Sequence, residues 1–441
     1  MTIHSRAGTH AENVQRVANS DLAWEREKSR AHSIAARNLA TLRDLHAGGG
    51  RVADNVRRIL THHDIRKSAA LKALGGNARQ DRAIQLANDV NAWRTDYPAI
   101  HWYKQRKANG GYRPICQLPL ELKAVHHLIA DILETLFEPA PHMFGVNGKS
   151  RDAAAIALKA YEQEGYVYRA KLDVIDCFQS IDPERLIQFP FPLPKEVIRR
   201  ALDTRHLAFR EREPRSAMTA DPLRSGYPMH YQRTSGPQGL VQGSPASNII
   251  LAWLFNQITL PGDVRLFIFA DNLAVAAKDD TTCRAAVDML IAYFLRDCPT
   301  GPLALCSPEF AGPGTEPFTF LSYEFDLAKD EIGISADALN KLEWRLSAIE
   351  EMEFSEDLQQ AIALWQVLRS FRDGFPAADT PRVLEPYVEM SAVRFDCLAE
   401  PYLADLHRHV FDPPTTAAGA IIKALCASRE PIALRDSTNS L

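Results

Sequence analysis

The sequence predicts an α+β fold: a helical N-terminal region, a central part of antiparallel strands packed by helices, and a helical C-terminal region. Three observations carry this. Residues 10–45 space their apolar side chains as one helical face (Val14, Val17, Leu22, Trp24, Ile34, Leu39, Leu42) until Gly48-Gly49-Gly50 stops the pattern. The middle of the chain holds short β-branched and aromatic runs joined by polar turns. The clearest is 266–278, LFIFADNLAVAAK, whose apolar arms close on Asp271-Asn272, a pair that tolerates the positive φ of a two-residue hairpin turn. Beyond Ile334 the helical period returns.

At 441 residues the chain is too long for one simple core and suggests two to four packed subdomains. Hydrophobic content of 46% and charged content of 24% are those of an ordinary globular protein. No apolar run reaches the ~18 residues of a membrane helix, and MTIHSRAGTHAEN is too polar for a signal peptide, so a cytoplasmic location is expected. The seven cysteines are dispersed with no Cys-x-x-Cys pair, which indicates reduced thiols rather than a disulfide frame or a zinc site. The formal charge of -4 hides an asymmetry: residues 1–115 carry 20 Lys and Arg against 10 Asp and Glu, leaving 31 against 45 for the rest. A basic N-terminal part suits either a phosphate backbone or a solvated helical surface.

Amphipathic segments at about 51–61, 64–74 and 79–93 complete the helical N-terminal region. Two short strands follow, IHWYK and YRPIC, joined by QRKANGG, a glycine-closed turn. Arg106, Lys107 and Arg113 are cations on this ribbon, suited to a polyphosphate and equally at home on a solvated hairpin. A helix is predicted over 121–137, then a glycine-rich turn, HMFGVNGKS, leading into a helix that begins near Ser150. Residues 167–174, VYRAKLDV, read as a buried strand ending around Asp173. SGPQGLVQGSP, 235–245, is a glycine-rich loop opening the helix ASNIILAWLFNQI. After the 266–278 hairpin come a helix over 281–296, a strand LALC and a second hairpin, FTFLSYEFDL. Helices over 336–352, 356–373, 381–396 and 401–410 precede a polar tail from Arg435.

An ionisable group ending an apolar strand is costly unless it is paired or binds a cation. Asp173 and Asp271 both stand in that position, 98 residues apart. If their strands are neighbours, the carboxylates converge. Two such acids make a Mg²⁺ site, because this hard cation prefers oxygen ligands and keeps positions open for substrate phosphates.

The series of motifs resembles the prokaryotic reverse transcriptases, the broad family of retron, group II intron and phage-defence enzymes. KANGGYRPI resembles that family's fingers hairpin, HMFGVNGKSRDAA the segment after it, and KLDVIDCFQSI its first palm motif. GLVQGSPASNI is similar to its Gly-Gln-Gly-Ser-Pro motif and FLSYEF to its primer-grip hairpin. FADN stands where the family has an aromatic residue, any residue and two Asp. Six motifs in order cover about 100–326.

The resemblance implies a right-hand polymerase: a helical N-terminal extension (1–95), fingers (96–165), a palm of antiparallel sheet packed by helices (166–334), a helical thumb-like region (335–434) and a mobile tail (435–441). It implies metal-dependent DNA synthesis from dNTPs, the expected partners being an RNA template, a DNA product and a co-encoded RNA or protein, with no membrane. Asp173, Asp271 and Asn272 would be catalytic, with Mg²⁺, or alternatively Mn²⁺, on Asp173, Asp271 and the Val174 backbone carbonyl. Lys107 and Arg113 match residues that hold the triphosphate, with Arg106 the alternative to Lys107. Phe178 occupies the steric-gate place and would exclude a 2′-hydroxyl. Gln242 and Gly243 would line the nucleotide site, and Ser244, Pro245, Leu321 and Tyr323 would meet template and primer.

Two departures stand out. Asn272 replaces the family's second Asp, which removes a charge, and Cys306-Ser307-Pro308-Glu309 occupies the region where a Lys is usual. The sequence lacks the retron motifs, a maturase endonuclease and an integrase, which fits the unassigned, defence-associated bacterial enzymes. The rival readings are an RNA-synthesising palm polymerase and a catalytically silent nucleic-acid-binding scaffold.

Overall fold

In the computed structural model the described residues are 5–75, 78–106, 112–211, 237–350, 357–380, 382–385 and 387. The N-terminal region is helical as predicted: α1 (Ser5–Ala47), α2 (Ala53–Thr61), α3 (His63–Leu74) and α4 (Gln80–Asp89). Gly48 and Gly50 end α1 by donating to the Asp44 and Leu45 carbonyls, which would otherwise lack partners. Strands β1 (Ile100–Arg106) and β2 (Tyr112–Gln117) pair antiparallel. Helix α5 (Leu120–Leu136) buries residues around most of its circumference, among them Leu122, Val125, Leu128 and Ile132, the mark of a core helix. Helices α1, α2 and α3 bury their apolar faces with it in one continuous core.

Strand β3 (Met143–Phe144) precedes α6 (Arg151–Gln163), whose N-cap Ser150 accepts from the Ala153 amide at 3.2 Å. Strand β4 (Tyr168–Asp173) is followed by short helices α7 (Cys177–Ser180), α8 (Pro183–Gln188) and α9 (Lys195–Ala201), and by β5 (Phe209–Glu211), parallel to β1. Helix α10 (Ser247–Phe255) leads to the hairpin β6 (Val264–Phe269) and β7 (Asn272–Ala277), then α11 (Asp280–Ala292), extended by one π turn. The expected strand LALC is reduced to a bridge between Leu305 and Val174, and regular pairing resumes only at β8 (Glu309–Ala311). Pro308, which has no N–H to give a ladder, stands between them. The second hairpin, β9 (Phe318–Phe320) and β10 (Tyr323–Phe325), is joined by β11 (Ile332–Ile334), and α12 (Ala336–Glu350) and α13 (Asp357–Asp373) follow. Residues 382–385 and 387 are helical, while the other residues of the 381–396 helix, the 401–410 helix and the tail lie outside the described residues.

The central sheet runs β3-β6-β7-β4-β8. Strands β6 and β7 are almost wholly apolar, because both faces of the sheet are covered there. Leu266, Ile268, Leu273, Val275, Ala170 and Leu172 enter the core built around α5. Phe267, Ala274 and Ala276 enter a second core with α6, β9 to β11, α12 and α13. Arg169 of β4 faces that second core with 1% of its surface exposed. It is ion-paired to Glu162, and its guanidinium lies 5.8 and 5.7 Å from the ring centres of Phe318 and Phe325. Lys159 donates to the same Glu162 at 2.6 Å, so sheet, α6 and second hairpin share one buried network.

Candidate active site

The antiparallel register sets the last residue of β4, Asp173, opposite the first residue of β7, Asn272. Asn272 also pairs with Phe269 of β6, so the two-residue turn is Ala270-Asp271. This corrects the expectation that Asp271 and Asn272 form the turn. The positive φ falls on Ala270, at 54°, where an L-residue bears a cost of ~1–2 kcal/mol. Registry decided the turn, one residue earlier than the polar pair suggested. Asp271 is brought against the end of β4 by its own carbonyl, which accepts from the Val174 amide at 3.1 Å.

Strand β4 is held from its other side. The Cys306 amide donates to the Asp173 carbonyl at 2.9 Å, the Asp173 amide reaches the Cys306 sulfur at 2.9 Å, and Ile175 donates to the Ala304 carbonyl at 2.8 Å. These bonds run through the neighbours of Val174 and leave its carbonyl out of the bridge. The Cys177 thiol is pushed well above its ordinary value by burial and then by the charges of Asp271, Cys298 and Asp173. Both carboxylates are thus felt at one buried sulfur. The Asn272 amide donates to the Asp271 carboxylate at 3.2 Å, an attraction where a second Asp would bring repulsion.

The donor set is two carboxylates, an amide and a backbone carbonyl, all hard oxygens of the kind Mg²⁺ takes while keeping positions for water and phosphate. Among the described residues no group of three or more His, Cys, Asp or Glu could hold a metal. The residues fit a metal shared with a substrate and not a closed all-protein cage.

Phe178 lies on α7, half-buried, and its carbonyl accepts from the Leu240 amide at 2.6 Å. Gly239 takes φ +67° there, and a Cβ on it would meet the Phe178 oxygen at 2.1 Å. Gln242 is stitched to β2: its carbonyl accepts from the Cys116 amide at 2.9 Å. Gly243 has φ +100°, and its Cβ would stand 2.5 Å from the Cys116 oxygen. The Gln242 side-chain oxygen is buried and has no hydrogen-bond partner among the described residues. An orphaned acceptor costs ~1–3 kcal/mol, and it stands in a loop bonded at Leu240 to the Phe178 carbonyl, five residues past Asp173. Pro245 is half-buried in the same loop. The Ser244 hydroxyl is taken up inside the protein, 2.6 Å from His126 Nδ1.

Arg113 is exposed on β2 and pairs with Gln105 across the ribbon. Arg106 closes β1 opposite Tyr112, and Lys107 lies outside the described residues. In the second hairpin, Leu321 and Ser322 form the turn with φ of 53° and 66°, a strained tip for two residues that are not glycine. Tyr323 corrects an expectation: with 0% of its surface exposed it is not available to a primer. Its hydroxyl donates to Asp152, and its ring packs edge-on to Phe375, 5.4 Å between centres. The sequence reading missed Asp176, three residues past Asp173, which holds a left-handed φ of 45° at the start of α7. It also missed Cys306 and His126, whose partners lie 133 and 118 residues away and leave no local signal.

Residues 105–297 match the family model described as reverse transcriptase (RNA-dependent DNA polymerase). No curated protein sequence matches the chain. Among solved structures it is similar to telomerase from Candida albicans in complex with a TWJ fragment of telomeric RNA, at 10% identity and TM-score 0.37, covering 76% of this chain and 65% of that one. Apo telomerase from Candida tropicalis gives 10% identity and TM-score 0.41, covering 74% and 61%. The same enzyme truncated from its C-terminal domain gives 11% and 0.35, covering 54% and 56%. The chain therefore spans less than two thirds of the length of these telomerase chains.

Proposed function

Starting from a reverse transcriptase domain at residues 105–297, we propose that this chain synthesises DNA from dNTPs by metal-dependent nucleotidyl transfer on an RNA template. The observation that carries the reading is the pairing of Asp173 with Asn272, which seats Asp271 beside the first palm motif. Asp173, Asp271 and the Val174 carbonyl would hold Mg²⁺, with Mn²⁺ as the alternative. A divalent ion supplies charge neutralisation on the phosphates and activation of a primer hydroxyl.

The chain's own residues position the reactants. The buried Gln242 side-chain oxygen accepts a hydrogen bond from the incoming nucleotide, which satisfies an otherwise orphaned group. Phe178 stands against C2′ and disfavours ribonucleotides. Arg113, with Lys107 or Arg106, holds the triphosphate as a fork and a point charge. Gly243 and Pro245 line the nucleotide and template path, and Leu321 at the hairpin tip meets the primer. In this reading residues 1–95 are an extension, 96–165 fingers, 166–334 palm and 335–434 a thumb-like region. Exposed Arg57 and Arg58 of α2 contribute to nucleic-acid binding. The finer setting is that of a cytoplasmic defence enzyme working on a co-encoded RNA or with a partner protein.

Asn272 favours a second reading, an RNA-synthesising polymerase that accepts one fewer charge at its metal site. Sequencing the nucleic acid that co-purifies with the wild type and with Asp173→Ala separates the readings. Complementary DNA joined to RNA in the wild type alone supports reverse transcription, and newly made RNA alone supports the rival. Recovery of no nucleic acid, with no nucleotide incorporated under any metal, would overturn both.

A further inference from the structure

His126 lies on α5 with 0% of its surface exposed, and nothing in the chemistry above uses it. Its ring is held at both nitrogens: Nε2 stands 2.7 Å from the Ala201 carbonyl oxygen and Nδ1 2.6 Å from the Ser244 hydroxyl. A carbonyl only accepts, so Nε2 carries the proton. The neutral ring then offers a lone pair at Nδ1, and the Ser244 hydroxyl donates to it. Neutrality agrees with the surroundings, since burial lowers the imidazole pKa to about 4. The Ser244 oxygen in turn accepts from the Ala246 amide at 3.1 Å. One directional chain runs from the Ala246 N–H through the Ser244 O–H and His126 to Ala201.

What that chain holds is the loop carrying Gln242. At one end the loop is fixed to β2, where the Gln242 carbonyl accepts from Cys116 and Gly243 lies too close to the Cys116 oxygen for a Cβ. The His126 link fixes the other end to α5. At the first anchor, two residues from the second, stands the Gln242 side chain with its buried, unpartnered oxygen. An acceptor that must meet one donor of a substrate needs a backbone that cannot drift.

We infer that His126 is a positioning residue of the nucleotide site, acting through Ser244 to fix the loop that aims Gln242 at the incoming nucleotide. The inference rests on the proposal that Gln242 meets a nucleotide. Two variants test it on the full chain: His126→Gln, which disturbs the ring's link to the loop, and Ser244→Ala, which removes that link and spares the bond to Ala201. Each should raise the dNTP KM about tenfold, the equivalent of one hydrogen bond, with kcat within about threefold. Because they break one chain, the double variant should cost no more than either alone. Amide exchange without nucleotide should quicken over 241–247 and stay unchanged in β6 and β7.

Full additivity, an unchanged dNTP KM in an active enzyme, or exchange that quickens evenly across the fold would overturn the inference. A wild type that incorporates no nucleotide sinks the polymerase reading instead. Exchange at 241–247 still decides in that event, and unchanged protection in both variants refutes the role of His126.

Discussion

Replacing Asn272 with Asp probes the proposed metal site at the residue where its charge would be set. The Asn272 amide donates to Asp271 at 3.2 Å, so the variant exchanges an attraction for two neighbouring carboxylates. Unit charges 4 Å apart repel by ~1 kcal/mol in water and ~4 kcal/mol at the effective dielectric near a protein surface. Both residues are half-buried, which places the cost between these limits, about 2 kcal/mol, and the broken hydrogen bond adds about 1 kcal/mol. Without divalent metal, Asn272→Asp should therefore be less stable by roughly 2–3 kcal/mol. A bound divalent ion cancels the repulsion, and by linkage that free energy reappears as metal binding tightened roughly 30-fold. Thermal melting in chelator and across Mg²⁺ and Mn²⁺ titrations reads both effects, with primer extension measured alongside. The wild type should depend more on Mn²⁺ than the variant does. Equal melting in chelator together with equal metal profiles would refute the reasoning.

Three further outcomes are expected. Phe178→Ala should lower discrimination against ribonucleotides on the order of tenfold or more, read as the ratio of kcat/KM for dNTP and NTP, and an unchanged ratio removes Phe178 from the sugar site. Substituting Arg57 and Arg58 with Ala should weaken nucleic-acid binding and reduce the salt slope by ~0.9 for each duplex phosphate left without its arginine; an unchanged affinity and slope would clear this face of α2. Acidification should destabilise the fold through His126. Its folded pKa of about 4 lies below the ordinary 6.5, so its stabilisation is complete above pH 6.5 and is lost as pH falls toward 4, up to about 3 kcal/mol. His127, also lowered to about 4 by burial, acts in the same sense, while the raised carboxyls of Asp131 and Glu134 oppose. Melting curves from pH 7.5 to 4.5 should fall more steeply for the wild type than for His126→Gln, and parallel curves would contradict this.

Where local chemistry decides structure, the sequence was readable. The arms of the 266–278 hairpin are apolar at every position because both faces of β6 and β7 are buried, and that run of β-formers between polar residues needed no tertiary information. Asp173 was legible as the acid that ends the strand VYRAKLDV, where an ionisable group is costly unless it is paired or binds a cation. What escaped reading depends on contacts distant in sequence. Ala270 takes the left-handed turn position because Phe269 pairs with Asn272, and no local preference favours Ala there. Tyr323 looks like a primer contact in its motif, yet Asp152 and Phe375 bury it. Strand β5 pairs with the edge of β1, about 100 residues earlier, a contact with no local signal in the sequence. LALC has strand composition, but the proline after it ends the ladder.

The most direct test of the account is dNTP incorporation on a primed RNA template in Mg²⁺ by the wild type, Asp173→Ala and Asp271→Ala. The account predicts extension by the wild type and a loss on the order of 10³-fold or more in each variant, with folding retained, because each removes a charge from the site that must neutralise the transferred phosphate. Extension by either variant at the wild-type rate would contradict the pairing of Asp173 and Asp271 as one metal site.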